Sequence, residues 1–288
     1  MSDTKTTPQF SPEDLQRINA ELSGKSPQDI LKWAIDNVQG LYQTTAFGLT
    51  GMCALDMISK ISLERNEIHL VPLVRLSRKA WGFDIFLDTL YHFKETLQLA
   101  ETASETYLAE LHTYRPPGVQ TVEEFEAKYG KELWKTDEDA YDYLVKVEPA
   151  QRAYKELGVK AVITGRRRSQ GADRQDLPVV EVDSTGLIKI NPLIDWSFKD
   201  VRDYIDKENV PYNALLDQGY RSVGDWHSTA APVEGDKSDG NERGNRWQGR
   251  NKSECGLHKD YFEMKKAFEE KHKAAEEVAM QKEAPVGV

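Results

Sequence analysis

The chain has 288 residues, a formal net charge of −10 and a sequence pI of about 5.2, with 39% hydrophobic and 30% charged residues. These are the values of an ordinary soluble globular protein able to bury a full core, and the acidic balance argues against a general nucleic-acid binder. No apolar run is long enough to span a membrane, Met1 to Lys5 lacks the apolar core of a signal peptide, and two cysteines without a framework spacing suit a reducing compartment, so the cytoplasm is the expected location.

Pro12 to Leu22 and Pro27 to Val38 read as amphipathic helices with Ser11 and Ser26 as N-caps, which makes residues 1–40 an N-terminal helical extension. Strand-like and helical patterns then alternate. Thr44 to Leu49 reads as a strand, Gly51 to Ser62 as a helix, and Ile68 to Val74 and Ile85 to Leu87 as short apolar β-type runs. A helix near Phe93, a strand at Leu108 to Tyr114, helices at Thr121 to Tyr129 and Asp137 to Leu157, and a strand at Ala161 to Thr164 follow. Val179 to Val182 and Leu187 to Ile190 pair as a hairpin around Ser184-Thr185-Gly186, ahead of a helix at Ser197 to Glu208. Strands separated by helices imply right-handed crossovers, hence an α/β fold with a mainly parallel central sheet flanked by helices. Residues 41–215 form this α/β unit, and residues 216–288 a C-terminal segment ending in a Lys/Glu-rich helix and a fraying tail.

In such a sheet a ligand binds beyond the carboxyl ends of the strands, and three turns there carry suitable chemistry. Thr44-Thr45-Ala46-Phe47-Gly48 leads hydroxyls and a glycine into a helix N-terminus whose free amides suit a phosphate, although it lacks the ending of a Walker A loop and reads equally as a structural turn. Asp88 and Thr89 stand at a strand end, where the carboxylate either accepts from ribose hydroxyls or caps the next helix. Arg166, Arg167, Arg168, Ser169 and Gln170 form a basic turn; guanidinium groups clustered at a strand end suit phosphate or sulfate better than a solvated face.

Cys255, in Glu254-Cys255-Gly256-Leu257-His258, reads as a nucleophile. Its neighbours are polar, and Arg246, Arg250, Lys252 and Lys259 favour thiolate over thiol. His258 either tunes the thiol, holds the tail or caps locally. Cys53 lies in the apolar stretch Met52 to Ile61 and reads as a small core hydrophobe.

Five stretches in order carry a family resemblance: Lys146-Val147-Glu148-Pro149, Gly165 to Gln170, Ile190 to Trp196, Gly219 to Thr229, and Glu254 to His258. From about Leu41 to His258 the chain resembles the assimilatory phosphoadenylyl-sulfate (PAPS) reductases, most closely their fungal, thioredoxin-dependent branch. The resemblance implies an adenine-nucleotide-hydrolase-like fold in which the loop at Thr44 to Gly48 replaces a pyrophosphate-binding loop. It implies reduction of 3'-phosphoadenylyl sulfate to sulfite by reduced thioredoxin through an S-sulfonated Cys255, and a homodimer. Substrate contacts then fall to Thr44, Thr45, Phe47, Gly48, Asp88, Thr89, Lys146, the basic turn, and Arg243 and Arg246 closing from the tail. Iron-sulfur relatives use four thiolates, and this chain has two cysteines, so no bound cofactor is expected.

Three departures stand against the family pattern. The charged segment Arg75 to Asp84 interrupts a core strand, so it loops out, shifts the register or represents translated non-coding sequence, and it puts Asp88 in question. In the basic turn Arg174 takes over from a basic residue commonly found nearer the glycine. The loop before Cys255 is lengthened at Ala230-Ala231-Pro232 and Lys237 to Asn241. Two other readings remain: a non-catalytic nucleotide-binding sensor with Cys255 as redox switch, and an ATP-using enzyme of the same fold, which the turn at Phe47 to Thr50 does not suit.

Overall fold

Serine caps start the first two helices. Ser11 Oγ accepts the Asp14 amide at 3.1 Å and Ser26 Oγ the Asp29 amide at 3.1 Å, starting helices α1 (Pro12–Leu22) and α2 (Pro27–Asn37). The computed structural model describes residues 9–65, 83–171, 174–232, 243–246 and 256–283; the strand expected at Ile68 to Val74, the charged segment up to Gly82, and Cys255 lie outside them.

Among the described residues six strands form one sheet in the order β3-β2-β1-β4-β6-β5. They are β1 (Leu41–Thr45), β2 (Phe83–Leu87), β3 (Glu110–Tyr114), β4 (Ala161–Ile163), β5 (Val180–Val182) and β6 (Ile188–Ile190). All neighbouring pairs are parallel except the β5–β6 hairpin. The helices between strands are α3 (Leu49–Glu64), α4 (Lys94–Tyr107), α5 (Val122–Tyr129), α6 (Leu133–Thr136), α7 (Glu138–Asp142) and α8 (Glu148–Leu157); α9 (Phe198–Glu208) and α10 (Tyr261–Glu283) follow the sheet. Edge strand β5 is covered by α1, whose Asn19 side chain bonds both the amide and the carbonyl of Val180 at 2.9 and 2.8 Å.

Two element boundaries differ from the sequence expectation for physical reasons. The first strand runs from Leu41 to Thr45 rather than from Thr44 to Leu49, because Phe47 adopts a left-handed turn (φ 54°) closed by its amide on Thr45 Oγ1 at 2.9 Å. The single helix expected from Asp137 to Leu157 is broken by a π-turn at Tyr143–Val147, in which the Glu148 amide reaches back to the Tyr143 carbonyl. Pro149 has no amide to give the carbonyl one turn back, and the widened turn absorbs that loss. It also turns Asp142 and Lys146 toward the strand ends.

Cys53 is buried in the core between α3 and α9, where its thiol lies 3.9 Å from the Val201 carbonyl and burial pushes it up to about 12. Asp84, in the middle of the sheet on β2, is 2% exposed, and its Oδ1 has no partner among the described residues. Burial raises its carboxyl to about 8. The folded chain therefore keeps a proton that the unfolded chain releases above about pH 4, and Asp84 costs stability progressively as pH rises from about 4 to about 8, by at most about 1.4 kcal/mol per unit. Urea unfolding of the wild-type protein and Asp84→Asn across this range should show the gap widening in the variant's favour as pH rises; parallel curves would contradict it.

Candidate active site

Chain direction reverses at β1. From it the strands run outward to β2 and β3 on one side, while β4 and β6 lie on the other, so the turns after β1 and β4 diverge and leave a crevice between them. The two turns pack closely. A Cβ added at Gly165 would lie 3.3 Å from Thr50 Cβ and 3.4 Å from the Gly51 amide nitrogen, and one at Gly51 would lie 2.9 Å from Thr45 Oγ1. Glycine at both positions lets the backbone of the basic turn reach the first turn of α3. That helix starts at Gly48 with no side-chain cap, leaving its amides to face the crevice.

The crevice has two contiguous lobes of about 260 and 230 Å³, which share Thr44, Thr45, Ala46, Arg174, Arg243 and Arg246 among their walls. The inner lobe mixes apolar Leu87, Val162 and Leu187 with seven lysines and arginines against two aspartates, Asp183 and Asp225. In the outer lobe the amide end of α3 stands with Arg167, Arg174, Arg221, Arg243 and Arg246 and, among the described residues, no acid. A chain of net charge −10 has thus gathered cations around one crevice. Such a site favours a polyanionic ligand with an apolar body.

Neighbouring side chains and carbonyls hold several of these cations. Arg166 pairs with Glu181 and bonds Thr164 Oγ1 at 3.3 Å, and Lys189 pairs with Asp183 at 3.0 Å. Arg167, 2% exposed, donates to Thr50 Oγ1 at 3.2 Å, to Ser169 Oγ at 2.8 Å and to the Trp196 carbonyl at 3.1 Å. Thr44 shares a hydrogen bond of 3.1 Å with the buried Tyr154 hydroxyl, whose pKa burial lifts to about 12, so it stays protonated. A Cβ at Gly224 would fall 2.1 Å from the Arg246 guanidinium, so only glycine lets Arg246 lie across that backbone.

Asp225 anchors the inner wall. Its carboxylate is 2% exposed and accepts from Thr89 Oγ1 at 2.6 Å and the Tyr141 hydroxyl at 3.2 Å, with Lys146 Nζ at 3.1 Å and ring nitrogens of His92 and His227 each at 3.8 Å. Burial alone would raise its pKa, but Lys146, His92, His227 and the Thr89 hydroxyl hold it well below the usual carboxylate range. His92 donates from Nε2 to the Leu87 carbonyl at 3.0 Å, since a carbonyl can only accept.

The residues singled out from sequence divide into three groups. Thr89, Lys146 and Arg166 line the inner lobe, Phe47, Gly48, Arg167 and Gln170 the outer, and Thr44, Thr45, Arg243 and Arg246 both. Asp88, Arg168 and Ser169 line neither: Asp88 is engaged by Arg115 Nε at 2.8 Å and the Leu90 amide at 3.0 Å, Arg168 pairs with Asp195, and Ser169 donates to the Trp196 carbonyl at 2.8 Å. The third group is Cys255, outside the described residues, and His258, whose backbone lies in a turn at Gly256–His258.

Sequence reasoning missed Lys189, Arg221, Asp225 and His92 as site residues. Arg221 and Asp225 stand in the segment Gly219 to Thr229, and Lys189 is a charge within an apolar strand; those signals were readable, whereas nothing near His92 marks it. Among the described residues no group of three or more His, Cys, Asp or Glu is arranged to hold a metal ion.

Removing the buried carboxylate takes a partner from Lys146 and an acceptor from the Thr89 and Tyr141 hydroxyls. Asp225→Ala should therefore destabilise the fold by about 3 kcal/mol or more, read as a lowered urea midpoint at pH 7. A midpoint within error of wild type would show that the network carries no such weight.

The family model of the phosphoadenosine phosphosulfate reductase domain matches residues 40–231. The chain is 51% identical over 250 residues to the phosphoadenosine phosphosulfate reductase of Emericella nidulans, covering 86% of this chain and 76% of that protein. It is 47% identical over 252 residues to that of Saccharomyces cerevisiae, covering 85% and 90%. The crystal structure of phosphoadenylyl-sulfate reductase from Candida auris in its phosphate complex superposes with a TM-score of 0.66 at 49% identity, covering 78% of this chain and all of that one. The fold, the crevice and these likenesses agree: the chain is an enzyme of the phosphoadenosine phosphosulfate reductase family.

Proposed function

We propose that this enzyme reduces 3'-phosphoadenylyl sulfate to sulfite and adenosine 3',5'-bisphosphate, with reduced thioredoxin as donor and Cys255 as nucleophile. The observation that carries the reading is the pair of cation-lined lobes meeting at the switch point, with Leu257 and Lys259, the near neighbours of Cys255, in the wall of the inner one. The apolar floor of the inner lobe suits a nucleoside. The cations of the two lobes suit anionic groups at more than one position on it, as the 3'-phosphate and the phosphosulfate require.

Sulfonyl sulfur is electrophilic but ringed by anionic oxygens, so a thiolate approaches it only when cations screen that charge. The Cys255 thiolate attacks the sulfur, a sulfur–sulfur bond forms, and the sulfur–oxygen bond breaks with its electron pair leaving on the 5'-phosphate of the bisphosphate. Lys146, Arg243 and Arg246 stand where they can neutralise the oxygens that gain charge. A thioredoxin thiolate then attacks Cys255 Sγ, sulfite leaves with the bonding pair, and the second thioredoxin thiol resolves the mixed disulfide. The dithiol loses two electrons and the substrate sulfur gains them.

One enzyme thiol suffices for this cycle. The other cysteine, Cys53, is buried in the core, and two cysteines cannot supply the four thiolates of an iron-sulfur cluster, so the enzyme works without a bound cofactor. We place it as a homodimer in the cytoplasm, in sulfate assimilation; among the described residues no helix is long and apolar enough to cross a membrane.

The test is sulfite release by purified protein with reduced thioredoxin, offering 3'-phosphoadenylyl sulfate and adenylyl sulfate in parallel, with Cys255→Ser alongside. Sulfite from the 3'-phosphorylated substrate, lost in Cys255→Ser, is the expected result. Retained nucleotide binding without sulfite from either substrate would favour a redox sensor.

A further inference from the structure

The turn at Gly256–His258 meets the end of α7, just before the π-turn, through a hydrogen bond from its backbone. The amide of Gly256, the peptide nitrogen that directly follows Cys255, donates to Asp142 Oδ2 at 2.9 Å. Asp142 is fully buried, and its other oxygen accepts from Lys146 Nζ at 3.1 Å. Lys146 in turn stands 3.1 Å from Asp225 and lines the inner lobe. Lys259, three residues beyond Gly256, adds a second strap from its side chain to Asp139 at 2.7 Å. A Cβ at Gly256 would lie 2.6 Å from Asp142 Cβ, so no other residue sits there without opening the contact.

We infer that Asp142 is a positioning residue that holds the peptide bond after Cys255 against the nucleotide cavity, and that Gly256 is glycine in order to allow it. The chemistry argues for positioning and against activation, because a carboxylate beside a thiol disfavours the thiolate. Lys146 offsets that charge by standing between the two aspartates, which also ties the tail to the wall of the substrate cavity. A full carboxylate at this place therefore has a use as an acceptor for an amide, the only donor that a glycine offers.

This inference rests on the proposed role of Cys255, and its test separates the two. Maleimide labelling of the full-length protein reports Cys255 alone, since Cys53 is 0% exposed. Opening a charge-assisted hydrogen bond should raise the labelling rate about tenfold in Asp142→Ala and Gly256→Ala and lower kcat about tenfold or more. Affinity for adenosine 3',5'-bisphosphate should stay within about twofold in Gly256→Ala, which leaves the cavity cations in place. Asp142→Asn keeps a carbonyl acceptor and should recover most of the protection from labelling. Gly256→Ala probes the contact from the tail side if removal of the buried carboxylate prevents folding. Wild-type labelling and kcat in Gly256→Ala, a fall in kcat matched by an equal fall in affinity, or an Asn variant labelled as fast as the Ala variant would each overturn the assignment. Full activity in Cys255→Ser would instead remove the proposed nucleophile while the labelling result still decided whether the tail is docked through Asp142.

Discussion

Everything in this site depends on holding cations together in one crevice of an acidic protein. The solution is pairing with neighbouring acids. Arg166 pairs with Glu181, Lys189 with Asp183, Lys146 with Asp142 and Asp225, and Lys259 with Asp139. Each acid offsets the cost of partial burial and fixes the direction of a side chain that would otherwise sample many rotamers. Among the described residues the wall of the outer lobe holds no acid, and the amides of α3 add to its field.

The fold delivers this arrangement through strand order. Because β1 lies between β2 and β4, the hydroxyl-rich turn that enters α3 and the arginine-rich turn after β4 stand side by side, and Gly51 and Gly165 let them approach to van der Waals distance. The π-turn at Tyr143–Val147 supplies the third wall. It brings Lys146 into the cavity wall, and Asp142, the residue just before it, meets the Gly256 amide, so one irregularity beside a proline adjoins both the cavity and the C-terminal segment.

Much of this was legible in the sequence. Alternating apolar runs and helices give the parallel sheet, and Ser11, Ser26 and the arginine-rich turn announce themselves by residue type alone. Which arginines face the ligand was not legible. Arg166, Arg167 and Arg168 are consecutive, yet only the first two line the cavities, because Arg168 is turned to Asp195 and the Leu177 carbonyl. Asp88 was ambiguous in sequence for the same reason: whether a carboxylate meets a ribose or an arginine is decided by Arg115, a residue on the next strand's loop. Long-range partners such as Asp142 with Gly256 lie 114 positions apart, beyond the reach of any local pattern.

The proposed function requires the two cationic lobes to act together on one nucleotide bearing anionic groups at two positions. Calorimetric titration with adenosine 3',5'-bisphosphate and with adenosine 5'-monophosphate tests it most directly. Charge-assisted bonds to a second phosphate should make the bisphosphate bind about tenfold to a hundredfold more tightly at low salt, with the difference shrinking as salt is raised. Equal affinities for the two nucleotides would contradict the claim.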